Sequence, residues 1–242
     1  MLKRLIIIVL VILAVCVAIS FPVCRGRKLS RQLVYAVELH NDTLVVTLLE
    51  KGANPNVRDS YGYTPLNIAV LRGQDDLVKL LLENGADPSP KGYLGYTPLH
   101  EAVRRYYRGA NDTPCNDPAI AKMLIKHGAD LNAKNSSGFT PLYEACVIRC
   151  PEFVKLLLES GADAKMWSGR AGRETTPLHV AIVFGSTDIV EMLLDCGVET
   201  DVINDSGETA IDIANKWGCT DIAEILRKYG AKTRAELNKS GR

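Results

Sequence analysis

The side chains best suited to proton transfer near neutral pH are four histidines, at positions 40, 100, 127 and 179 of a 242-residue chain. A hydrolase or transferase would pair one of them with a nucleophile and a carboxylate, and the signatures of such pairs are absent. There is no Gly-x-Ser-x-Gly turn, no His-Glu-x-x-His helix and no glycine-rich phosphate loop running into Lys-Ser or Lys-Thr. Seven cysteines stand at 16, 24, 115, 146, 150, 196 and 219, with no Cys-x-x-Cys or Cys/His spacing that would hold zinc. No catalytic residue, metal, cofactor or small-molecule substrate is therefore expected. Buried, unpaired thiols are expected at Cys146, Cys196 and Cys219, with Cys115 exposed in a polar stretch. A Cys115–Cys150 bridge is the alternative to free thiols at those two positions. What remains is recognition chemistry. Arg104, Arg105 and Arg108 with Tyr106 and Tyr107 have side chains that stack on bases. A net charge of +1 gives no field to hold nucleic acid, so protein contact is the better use of that cluster.

These residues are positioned by a repeated phrase. Thr97-Pro98-Leu99-His100-Glu101-Ala102 has close copies at 64–69, 140–145 and 176–181, and a worn copy at 209–214. A second phrase, Gly-Ala-Asn or Gly-Ala-Asp, starts at Gly52, Gly85, Gly128 and Gly161, with variants at Gly197 and Gly230. Gly52 and Gly85 are 33 residues apart, the signature of a repeat architecture. Within one period, Thr64 can cap a helix with Pro65 in its first turn, and Gly73 can end it. Leu77, Val78, Leu80, Leu81 and Leu82 then supply the apolar face of a second helix, which Gly85 stops.

This order closely resembles the ankyrin repeat, over about residues 30–232. The resemblance implies an all-α fold: an ankyrin-repeat solenoid of stacked helix pairs with projecting loop fingers, preceded here by one transmembrane or signal helix. Six units follow, at about 30–58, 59–91, 92–133, 134–165, 166–203 and 204–232, behind a basic linker at 25–29 and ahead of a polar, frayed tail at 233–242. The first unit lacks the Thr-Pro-Leu phrase and the last replaces Pro-Leu with Ala210-Ile211, as end caps should. The resemblance also makes His100 and His179 structural hydrogen-bonding residues and implies a monomeric scaffold that binds a folded protein through a concave groove.

Departures from the period mark candidate surfaces, since insertions in a stack go to loops. The third unit carries ten extra residues between its helices, within 106–118. The fifth carries three in an enlarged finger, 166–175. Fingers and outward first-helix positions give the expected partner-binding set: Tyr61, Tyr63, Leu71 and Arg72 in the second unit, then Tyr93, Leu94, Tyr96, Arg104, Arg105 and Tyr106 in the third. The fifth adds Trp167, Arg170, Arg173 and Phe184, and the sixth adds Lys216 and Trp217. Tyr, Trp and Arg are the side chains that make interface hot spots. Phe139, Tyr63 and Tyr96 are expected to pack partly between neighbouring fingers.

At the amino terminus, Lys3-Arg4 precedes an unbroken apolar run from Leu5 to Ile19 that continues to Cys24, about the roughly 20 residues a spanning helix needs. Residues 1–24 are read as a retained membrane anchor, with a signal peptide cut after Ser20 as the alternative. The length of the run favours the anchor. A short basic start before an apolar run is an export pattern, which places the repeats on the non-cytoplasmic (periplasmic) side. The expected function is non-enzymatic binding of a partner protein. The alternative is an immunity or accessory protein that neutralises a toxic enzyme such as a phospholipase effector.

Overall fold

The computed structural model describes residue 26 and residues 28–108, 118–169 and 175–239, with backbone alone at 106–108. Among these residues the regular structure is helical, apart from one isolated antiparallel bridge between Ser168 and Thr175. The chain forms two compact units that divide between Asp87 and Pro88. The first holds α1 (28–38), α2 (Asp42–Glu50), α3 (Pro65–Arg72) and α4 (Asp75–Glu83). Its interior is Leu33, Ala36, Val37, Val45 and Leu48 from the first pair of helices, with Leu66, Val70, Leu77, Val78 and Leu81 from the second.

The second unit holds α5 (Pro98–Arg108), α6 (Ala119–Lys126), α7 (Pro141–Val147), α8 (Pro151–Glu159), α9 (Pro177–Val183) and α10 (Thr187–Asp195). It closes with α11 (Ala210–Lys216), α12 (Thr220–Lys228) and α13 (Arg234–Lys239). First helices pack side by side, α5 on α7, α7 on α9 and α9 on α11; second helices α8, α10 and α12 form a parallel layer behind them. Leu99, Leu142, Leu178 and Ile182 from the first layer meet Leu124, Leu157, Ile189 and Leu193 from the second, all essentially without solvent contact. Burying each such side chain stabilises by about 2 kcal/mol.

Each first helix from α3 onward starts on a threonine. Thr64, Thr140, Thr176 and Thr209 are extended residues whose hydroxyls accept from the N–H three positions on, a cap worth about 1 kcal/mol. The fourth residue of the phrase can return the bond. Asn67 Oδ1 accepts from the Thr64 N–H and hydroxyl at 3.0 and 2.9 Å. Asp212 does the same for Thr209 at 3.0 and 2.8 Å. His100 Nδ1 lies 2.8 Å from the Thr97 hydroxyl and His179 Nδ1 2.8 Å from that of Thr176. The histidines do more: Nε2 of His100 donates to the Phe139 carbonyl at 3.0 Å, and Nε2 of His179 to that of Val202 at 3.1 Å. His100 thus reaches the fourth repeat, and His179 the finger that leads into the sixth. Both are scaffold.

A second set of bonds joins repeats at the Gly-Ala-Asp phrase. Five residues into each phrase stands Asn56, Ser89, Asn132, Lys165 or Asp201. Asn56 accepts from the Asp87 N–H at 2.7 Å, Ser89 from Asp130 at 2.7 Å, Asn132 from Asp163 at 2.9 Å and Asp201 from Lys232 at 3.1 Å. Lys165 carries no acceptor, so the corresponding N–H, that of Glu199, gets no such bond. A cleft of about 200 Å³ lies there, lined by Ala164, Lys165, Trp167, Thr176, Val198, Glu199 and Val202.

Three sequence expectations are corrected. Residues 234–239, placed in a frayed tail, form α13: the Thr233 hydroxyl accepts from the Glu236 N–H, Glu236 accepts from that of Thr233, and Leu237 is buried. This is a capping box, Thr-x-x-Glu, overlooked beside its polar neighbours. Cys196 is exposed and Cys219 half-buried, because both sit at helix caps rather than on apolar stripes. Cys146 is a free, fully buried thiol, as expected. Cys150 is disulfide-bonded; Cys115 lies outside the described residues. Among the described residues no helix is long and apolar enough to cross a membrane, and residues 1–24, read as an anchor or signal peptide, lie outside them.

Candidate functional site

Fingers of the second unit are laced backbone to backbone. Ser136 N–H donates to the Leu94 carbonyl at 2.9 Å, and Gly169 N–H to that of Gly138 at 3.1 Å. Gly138 has φ +78°, and a Cβ there would lie 2.0 Å from the Gly169 carbonyl oxygen, so only glycine fits. The Ser168–Thr175 bridge, two bonds of 2.9 Å, closes the base of the enlarged finger. Arg170 and Arg173 lie outside the described residues, as does the insertion at 109–117.

The tips hold side chains out. Leu94, in a single turn of 3-10 helix, has φ +53°, a strained conformation for a branched residue that leaves it 54% exposed beside Tyr93 at 56%. At the ends of the first helices Phe184 is 41% exposed and Trp217 60%. Arg105 and Lys216 are exposed and Arg104 half-buried. Lys216 is paired with Glu208 at 2.6 Å. Trp167, expected at a finger tip, is half-buried and lines the cleft beside Lys165. The side chain of Tyr106 lies outside the description. In the first unit Tyr61 is 72% exposed at a finger tip and Arg72 exposed at the end of α3, while Tyr63 and Leu71 are half-buried.

Between the third and fourth repeats lies a polar cluster. Tyr96 is half-buried, its ring met edge-on by His100, with centroids 5.7 Å apart, and covered by the Arg104 guanidinium at 4.2 Å. Phe139 stacks on Tyr143 with centroids 4.6 Å apart. Tyr63, Tyr96 and Phe139 thus are half-buried. Glu101 and Glu144 are buried. Asn135 Nδ2 donates to Oε1 of Glu144 at 3.2 Å, while Oε2 is buried without a partner. Burial pushes the Glu144 carboxyl up to about 7, against the nearby Arg104 and Tyr96, which favour its ionised form. Burial drives His100 the other way, to about 4, so its ring is neutral at pH 7, with Nε2 protonated to donate to Phe139. Neither buried group is marked as such in the sequence, because burial of a side chain is not written in the repeated phrase. Arg149, exposed at the end of α7 with Nε donating to Ser186 at 3.2 Å, was also missed. It follows Val147-Ile148 at the position where other repeats have glycine, and its φ of +57° confirms that role.

Among the described residues no three His, Cys, Asp or Glu side chains could share a metal ion. The arrangement offers exposed aromatic and cationic side chains on a repeated scaffold. That is the architecture of a binding protein.

The model of ankyrin repeats matches three times, over residues 33–113, 110–168 and 164–236, and the chain belongs to the ankyrin-repeat family. It superposes on the ankyrin repeat domain of Bcl-3, described as a unique member of the IkappaB protein family, with TM-score 0.72 and 29% identity, over 83% of this chain and 86% of that one. It is 43% identical to an ankyrin repeat-containing protein of Arabidopsis thaliana over 65 residues, 24% of this chain and 12% of that one. Likeness to a serine/threonine-protein kinase of Arabidopsis thaliana is 38% over 81 residues, 34% of this chain and 17% of that protein. The chain thus spans less than a fifth of the length of these curated relatives.

Proposed function

We propose that the chain is a non-enzymatic binding protein that grips a folded partner through its finger tips and the exposed ends of its first helices. The observation that carries this reading is the exposure of Tyr93, Leu94, Phe184 and Trp217, which contribute little to the scaffold and belong to the residue classes that dominate interfaces. A rigid stack loses little entropy on docking, so these side chains act with little ordering cost. The test replaces Tyr93, Phe184 and Trp217 together by alanine and measures partner capture and thermal melting. Loss of capture with a melting temperature within about 5 °C of the parent is expected, since surface changes of this kind stay within about ±0.5 kcal/mol each. A large fall in melting temperature would assign them to the scaffold instead.

Residues 5–24 would hold this binding protein at a membrane, with the repeats on the non-cytoplasmic side. Alkaline extraction of membranes should leave the chain in the pellet, and recovery of a chain beginning at Phe21 in the soluble fraction would replace the anchor with a cleaved signal. The narrower idea of an immunity protein rests on that same terminus, outside the described residues, and no observation favours it.

A further inference from the structure

The nearly neutral total of charges conceals an uneven distribution within the second unit. On the first helices and their ends, the outward charges are Arg104, Arg105, Arg149 and Lys216. The acids of those helices are used internally: Glu101 and Glu144 are buried, and Asp212 caps α11. Among the second helices, α8 and α10 carry Glu152, Glu159, Asp188, Glu191 and Asp195 against the single lysine Lys155, whereas α6 carries Lys122 and Lys126 without an acid and α12 is balanced. Among the described residues no ion pair neutralises Arg104, Arg105 or Arg149. Cations at the carboxy ends of helices also complement the backbone dipole. That account does not explain why exposed Val183, Phe184 and Trp217 stand in the neighbouring rows.

We propose that this face takes an acidic, apolar segment of a partner protein, with carboxylates over Arg104, Arg105 and Arg149 and large apolar side chains over Phe184 and Trp217. This rests on the binding function proposed above and names the chemistry of its ligand. Arg104 Cζ lies 4.2 Å over the Tyr96 ring, and the N–H donors of its guanidinium can serve a bidentate carboxylate. Neighbouring helix axes lie about 8–10 Å apart, so the four rows α5, α7, α9 and α11 span about 25–30 Å. An extended segment of about nine residues covers that distance. The order of rows sets the ligand's order: acids at the α5 and α7 end, aromatic or aliphatic residues at the α9 and α11 end. A polybasic segment would meet uncompensated arginines and is excluded.

The experiment is selection of a random dodecapeptide library on the immobilised full chain, with fluorescence-anisotropy titration of the enriched peptides. Enriched peptides should hold Asp or Glu in one half and Leu, Phe or Trp in the other. Arg104→Glu/Arg105→Glu/Arg149→Glu should weaken them at least tenfold, and raising salt from 50 to 500 mM should weaken their binding to the parent chain. Circular dichroism of the variants guards against misfolding, and Arg104→Gln/Arg105→Gln/Arg149→Gln should give an intermediate loss. Enrichment of neutral or basic peptides whose binding is lost in Phe184→Ala/Trp217→Ala overturns the acidic chemistry and leaves the binding face standing. Peptides indifferent to both sets of variants, or no enrichment, overturn the proposed ligand, while the binding function itself stands or falls on partner capture by the Tyr93/Phe184/Trp217 variant. A single-stranded RNA of equal charge that binds more tightly than any selected peptide overturns the proposal in favour of nucleic acid.

Discussion

At the scale of single residues, one slot in the repeated phrase shows what the scaffold demands. After Thr-Pro-Leu or its worn form come Asn67, His100, Tyr143, His179 and Asp212, and three chemistries satisfy the same threonine. Histidine alone also reaches the next finger. His100→Asn should therefore keep the cap, as Asn67 does, and lose the bond to Phe139, costing about 1 kcal/mol in denaturant unfolding. Its pH behaviour has a definite sign. The folded pKa is lowered from 6.5 to about 4, so the unfolded chain binds more protons between those values and stability falls as pH falls through that range. Glu144 is opposite: raised from 4.5 to about 7, it binds more protons when folded, and stability falls as pH rises from about 4.5 to 7. The two slopes oppose each other between about 4.5 and 6.5. Glu144→Gln removes the second, so the variant should gain on the parent by on the order of 3 kcal/mol at pH 8 and little at pH 4. Melting curves from pH 4 to 8 check both. A gain that is the same at every pH would mean that burial does not shift the Glu144 carboxyl. The cap role of the histidines was legible in the sequence because it is local, spanning three residues. Glu144 was not, because its environment is assembled from Tyr96, Arg104 and Asn135 on other elements.

Elements tell a similar story about what local pattern carries. Helix pairs, caps and the position of both insertions followed from spacing, since each helix is specified by its own threonine and stripe. The joints between repeats did not, since they depend on a side chain from one repeat meeting an N–H 31 residues on, or 41 across the insertion. Lys165 is the exception among those joints, and Lys165→Asn should restore an acceptor for the Glu199 N–H. A gain of about 1 kcal/mol is expected by chemical unfolding, with slower hydrogen exchange at Glu199. Unchanged exchange there would mean that the cleft is too wide for the bond. Two glycines give a matched pair. Gly138 and Gly207 share nearly the same φ, +78°, but a Cβ on Gly207 meets nothing within 4 Å. Gly207→Ala should cost about 1 kcal/mol of backbone strain, and Gly138→Ala clearly more because the Gly169 backbone must move. Equal costs would mean that the fingers separate freely.

For the molecule as a whole, composition was a poor guide to surface. A net charge of +1 argued against a strongly basic nucleic-acid binder as an expectation, yet it averaged over a cationic row of first helices and an acidic pair, α8 and α10. Average charge cannot report which side of a stack a residue faces; the helical period and the layer order together can. Binding through the cationic face should therefore weaken with ionic strength, even though the chain as a whole carries almost no charge.

The joint at Lys165 has a mechanical side. A stack pulled along its length bears load in series, so each repeat boundary within residues 88–239 feels the same force. The boundary between the fourth and fifth repeats, where Lys165 stands, lacks the side-chain clasp that Asn132 and Asp201 make at the boundaries on either side of it. It should part first, releasing α9 to α13 as one piece while the helices before it hold. In an optical trap that would show as an early extension step of about 75 residues, and the Lys165→Asn chain should shift the step to higher force.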